Sequence, residues 1–115
     1  MDASAIQTFC LGLPGARMAI QWGGVHVFQV ADRKMFATLH LPHGGSLAFK
    51  VDDDLFIGYC DRPGFRPAPY LARAHWVSLS DPTVLATHEL QDLLTRSHQL
   101  VVRRLPRRQQ VGLLL

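Results

Sequence analysis

The chain has 115 residues, 48% of them hydrophobic and 18% charged, with a formal net charge of +3 at pH 7. That length suits one domain built on a single two-layer core and excludes two independent ones, while the composition excludes wholesale disorder. No apolar run approaches the roughly 18–20 residues of a membrane span, and the start "MDASAIQTFC" lacks a basic stretch followed by an apolar one, so a cytoplasmic protein with no membrane partner is expected.

In chain order, "DASAIQTFCLGLPG" opens with Ala5, Ile6, Phe9, Cys10 and Leu13 at helical spacing. Asp2 or Ser4 can cap this helix, and "GLPG" stops it. Four short runs follow, "ARMAIQW", "VHVFQV", "KMFATLHL" and "SLAFKV", parted by "GG", "ADR" and "PHGG"; this is the pattern of a strand meander. Alternation along "KMFATLHL" puts Met35, Ala37, Leu39 and Leu41 on a core face, with Lys34, Phe36, Thr38 and His40 on a wetter one. In "SLAFKV", Leu47, Phe49 and Val51 likewise oppose Ser46, Ala48 and Lys50.

"DDDLFIGYC" reads as a short helix whose leading acids, Asp52 to Asp54, suit the positive end of its dipole. The proline-rich "PGFRPAPYLARAHW", residues 63–76, reads as a rigid corner. Pro69 opens a short helix there, Tyr70 and Leu71 anchor it, and Trp76 begins the strand "HWVSLS". A long final helix, "THELQDLLTRSHQLVVRRL", carries Leu90, Leu93, Leu94, Ser97, Leu100 and Val101 along one side and ends at Pro106. Helix, four strands, short helix, strand and long helix define an α+β two-layer sandwich. Its sheet is mostly antiparallel, with the N-terminal and long C-terminal helices on one face. The domain spans residues 1–108, followed by a tail at 109–115.

Chemistry-bearing motifs are sparse. "WGGVH" and "PHGGS" lack the spacing of a phosphate-cradling loop and read as turns. Cys10 and Cys60 stand far apart with no metal-ligand or redox spacing, and both read as buried thiols. His40 and His43 form a His-x-x-His without evident further ligands, so no metal and no cofactor are expected. No nucleophile, base and orienting group can be named together, so the chain does not read as an enzyme.

The cations are more informative. Arg96 follows Asp92 by four residues, and local pairing accounts for it. Arg103, Arg104, Arg107 and Arg108 have no acid close along the chain and exceed what a helix C-terminus needs. Joined by Arg66, Arg73, Lys34 and Lys50 on one surface, they would bind a phosphate backbone without reading sequence.

The blocks "LPG" at 13–15, "WG" at 22–23, "VFQVADRKMFA" at 27–37, "LAFKVD" at 47–52, "PG", "PAPYL" and "HW" within 63–76, and "LLTRSHQLVVRRLP" at 93–106 resemble, in order and spacing, the MmcQ/YjbR family of small bacterial proteins. The resemblance implies a frataxin-like or "double-wing" α+β fold and a DNA-binding role, and it brings no catalytic residues. Where relatives usually carry a tyrosine after the serine of the last helix, this chain has His98. The leading expectation is low-specificity binding of double-stranded DNA, using the strand-joining turns as wings. Lys34, Lys50, Arg66, Arg73, His75, Arg103, Arg104, Arg107 and Arg108 are the contacts. The alternative is a protein-interaction module that uses the open sheet face, with Phe36 on it, and the apolar tail "QQVGLLL" to form a weak homodimer.

Overall fold

The computed structural model describes residues 1–42 and 45–115. The first helix, α1 (Ala3–Leu11), starts where the Asp2 carboxylate accepts the Ala5 N–H at 2.8 Å, and it buries Ile6 and Cys10. Six strands form one antiparallel sheet: β1 (Arg17–Gln21), β2 (Val25–Val30), β3 (Lys34–His40), β4 (Ser46–Lys50), β5 (Phe65–Pro67) and β6 (Trp76–Leu79). Their spatial order is β1-β2-β3-β4-β6-β5, so the four-strand meander is extended by a hairpin that enters after a helical excursion.

That excursion is a 3₁₀ turn at Asp53–Leu55 running into α2 (Phe56–Cys60). The long helix α3 (Thr87–Val102) lies across β3 and β4 and touches α1. Between helices and sheet sit the fully buried Ile6, Phe28, Leu39, Leu47, Phe49, Leu79, Leu90 and Leu94. Each such side chain contributes about 1.5–3 kcal/mol on leaving water.

The sheet has one strand more than the sequence pattern predicts. Pro67 and Pro69 argue against a strand, yet β5 forms at the sheet edge, where a missing N–H costs no ladder bond. Phe65 anchors it, 7% exposed and opposite Leu79. The expected face of β3 also changes. Phe28 pairs with Ala37 but Gln29 pairs with Met35, so Phe36 is the extra residue of a β-bulge. The bulge turns Phe36 and Ala37 both into the core, fully buried, and leaves Met35 on the opposite face. Phe36 is therefore no part of an open surface, and Leu41 lies beyond the strand, exposed.

Two further expectations are corrected. Tyr70 does not anchor the 63–76 corner: it is fully exposed with φ 66°, and the short 3₁₀ turn there is Ala72–Ala74. The final helix stops at Val102, before the expected Leu105: the Arg104 and Leu105 N–H groups tighten onto the Val101 and Val102 carbonyls, and Pro106 has no N–H with which to continue the helix. A further short helix, α4 (Arg107–Gln110), follows. Beyond it the chain returns to the domain. The Gln99 amide donates to the Leu113 carbonyl at 2.9 Å, and the Gln99 side-chain carbonyl accepts the Leu115 N–H at 2.9 Å.

Candidate nucleic-acid interface

The cations of the sequence pattern fall into three groups. The first surrounds the C-terminal end of α3. There Arg33 and Lys34 from the β2–β3 turn, Lys50 from the end of β4, and Arg104 line a depression of about 520 Å³, floored by Met35, Trp76 and Val101. Among the described residues no carboxylate lines it. The tight turn that delivers Arg33 holds Ala31 and Arg33 at φ 49° and 55°, with the Arg33 N–H donating to the Ala31 carbonyl at 3.0 Å. Arg33 is the residue that charge counting along the sequence missed; its one signal was adjacency to Lys34 in a turn.

A second depression, of about 590 Å³, shares Lys50 and Arg104 with the first and adds Arg73, His75 and Arg103, but also Asp52, Asp53 and Asp54. Two of these acids are engaged. Asp52 accepts three hydrogen bonds from Arg96, at 2.7, 3.0 and 3.3 Å, and those bonds hold its carboxyl below the usual carboxylate range. Asp53 sits 2.6 Å from His75 Nδ1. Thus Arg96 pairs across the fold with Asp52 and not with Asp92 as the helix spacing predicts, and the acid cluster does more than favour a helix start. His75 is drawn to Asp53 and is not free for phosphate.

Lys50 is a different kind of group from the one the strand pattern predicts. It is 7% exposed, and its ammonium donates to the Ala74 carbonyl. Burial lowers its pKa, and the charge of Arg104 lowers it further, opposed by Asp53 and Asp52. The repulsion between Lys50 and Arg104 is what a bound anion would relieve. Arg33, Lys34, Arg73, Arg103 and Arg104 form no ion pair among the described residues, whereas Arg62 and Arg96 both do.

The second group is Arg66 alone, on the sheet face turned away from the helices. Arg107 and Arg108 form the third, exposed on α4 and outside both depressions. The nine expected contacts therefore do not share one surface: Lys34, Lys50, Arg73, His75, Arg103 and Arg104 converge, and the other three do not.

The thiols are poor nucleophiles. Burial pushes Cys10 up to about 12, and Cys60, half-buried at the end of α2 and not enclosed as expected, is raised by burial and by Asp61. His40 lines the open sheet face, and its expected partner His43 lies outside the described residues. Among the described residues no three His, Cys, Asp or Glu side chains cluster as metal ligands, and no helix is long and apolar enough to cross a membrane.

The YjbR family model matches residues 11–100. Protein DR2400 of Deinococcus radiodurans, which carries a DUF419 domain, superposes with a TM-score of 0.87 at 20% identity, over 97% of this chain and 87% of that one. A Pseudomonas syringae protein superposes with a TM-score of 0.72 at 20% identity, over 88% of this chain and 99% of that one. No curated protein matches the chain. The family model covers α1's last residue through most of α3, the segments that build the sheet and its helical cover, and the chain belongs to the YjbR family.

Proposed function

We propose that the protein binds double-stranded DNA with low sequence specificity, through the basic corner at the C-terminal end of α3. One observation carries this reading: Arg33, Lys34, Lys50 and Arg104 converge from three separate parts of the chain on a depression with no carboxylate in its lining among the described residues. Unpaired cations held together against their mutual repulsion are the electrostatic footprint of a phosphate partner. Arg73 and Arg103 extend the surface along its flank, and the β2–β3 turn acts as the wing that carries Arg33 and Lys34. Nothing in this arrangement reads a base edge, so affinity should be insensitive to sequence and sensitive to salt.

The test is a titration of the full chain with a labelled duplex at several salt concentrations. Four or five phosphate contacts correspond to a slope of roughly −4 in log K against log salt, and R33A/R104A should flatten it by about 2. Absent binding at about 50 mM salt, or affinity indifferent to salt, overturns the proposal.

A further inference from the structure

The sheet face opposite the helices holds a groove of about 570 Å³. We infer that this groove takes a single-stranded segment of nucleic acid, with bases stacked on Trp22 and Tyr70 and a phosphate against Arg66. The inference rests on the nucleic-acid reading above and extends it to a second surface.

Trp22, on the β1–β2 turn, and Tyr70, in the 63–76 corner, both line the groove and are 65% and 104% exposed. Both also have positive φ, at 50° and 66°, a region that disfavours residues with a Cβ. Two large aromatic side chains are thus held in water on strained backbone, an arrangement with no packing return in the isolated chain. Strain of this kind concentrates where the fold presents side chains to a ligand.

The lining is electrically one-sided. Among the described residues Arg66 is the only permanent charge in the lining, His40 adds an imidazole, and no carboxylate lines the groove. Thr38 and Ser78 add hydroxyls to the floor. The groove and the basic corner meet at Met35, which lines both.

The dimensions and chemistry select the occupant. The two aromatics rise from opposite sides of β3 and β4. The elements that carry them are three to five strand spacings apart, on the order of 14–24 Å at 4.7–4.9 Å per strand, room for more than one nucleotide. A duplex keeps its bases stacked on each other and cannot offer their faces, whereas a single strand can. An extended peptide would find the floor strands already paired on both sides, with no free edge to hydrogen-bond.

Trp22 provides the readout, since the second tryptophan, Trp76, is buried. A ten-residue oligothymidylate should quench the fluorescence of the full chain. Because the Trp22 variants lose that fluorophore, variant affinities are read from the anisotropy of an end-labelled oligothymidylate: W22A and Y70A should each weaken binding between about fivefold and about 150-fold, while W22F retains most of it. Duplex affinity should stay within twofold in all three variants and fall in R33A/R104A. Unaltered oligothymidylate affinity in the W22A/Y70A double variant overturns the inference, even with duplex binding intact. Loss of duplex binding alone overturns only the reading of the basic corner. Thymidine monophosphate saturating at the same concentration as the oligomer would show a nucleotide site in place of a strand site. An acidic, tyrosine-containing peptide quenching equally well would show a peptide site.

Discussion

Ser97 ties three segments of the fold together with one hydroxyl. Its O–H donates to the Phe36 carbonyl at 2.6 Å, and its oxygen accepts the Lys50 N–H at 2.9 Å. The β-bulge explains the first bond, since the extra residue of a bulge leaves the ladder and its carbonyl needs another donor. Ser97→Ala would strand two buried backbone groups, and the expected loss is roughly 2–4 kcal/mol, read as a lower urea midpoint with an unchanged slope. From sequence, Ser97 appears only as a small polar residue on the apolar side of a helix. The pattern identifies its face, but its partners sit 61 and 47 residues away along the chain.

At the scale of elements, α3 carries most of the consequences. Its buried side presents Leu90, Leu94, Ser97, His98 and Val102, close to the stripe that helical periodicity predicts. His98 fills the core edge-on to Phe36, with its ring 5.1 Å away. Its Nε2–H donates to the Pro14 carbonyl at 2.8 Å, and its Nδ1 accepts from the Gln99 amide at 2.9 Å, so the ring is neutral in the fold. Burial lowers its pKa from 6.5, partly opposed by the Pro14 carbonyl. The unfolded chain therefore takes up the proton first as pH falls. The contribution of His98 is complete above about pH 6.5 and is lost progressively below it, down to the depressed folded pKa. Urea midpoints at pH 7.5 and 5.5 should differ more for the native chain than for His98→Phe, and equal differences would show that His98 does not govern the change.

The same scale shows where local pattern misleads. Period-two alternation assigned Phe36 to the wet face, and one inserted residue reversed it. Likewise i,i+4 spacing paired Arg96 with Asp92, whereas a bidentate bond to Asp52 is the geometry adopted.

At the scale of the whole molecule, the C-terminal segment closes the fold. Gly15 has φ 67°, and a Cβ there would meet the Leu113 side chain at 2.4 Å. Gly15→Ala should both strain the turn and dislodge the tail, and removal of residues 111–115 should take from Gln99 its bonds to Leu113 and Leu115 while leaving the one to His98. We expect the truncated chain to remain folded but to melt several degrees lower. Sedimentation of the two lengths tests self-association through the exposed Val111, Leu114 and Leu115, which fails if both are monomers at high concentration.

Sequence alone determines the α+β class, the starts of α1 and α3, the meander and most of the core, because capping, turn chemistry and hydrophobic period are properties of neighbouring residues. It also marks Arg103 and Arg104, with Arg107 and Arg108, as charges with no acid close along the chain, and offers Lys34, Lys50 and Arg73 as cations that could join them. Only the tertiary structure decides that Lys34, Arg73, Arg103 and Arg104 meet Arg33 and a buried Lys50, that His75 is occupied by Asp53, and that Arg66 lies on another face beside Trp22 and Tyr70. The reason is that surface convergence depends on strand order, one bulge and the crossing of α3, all set by contacts between residues distant in the chain.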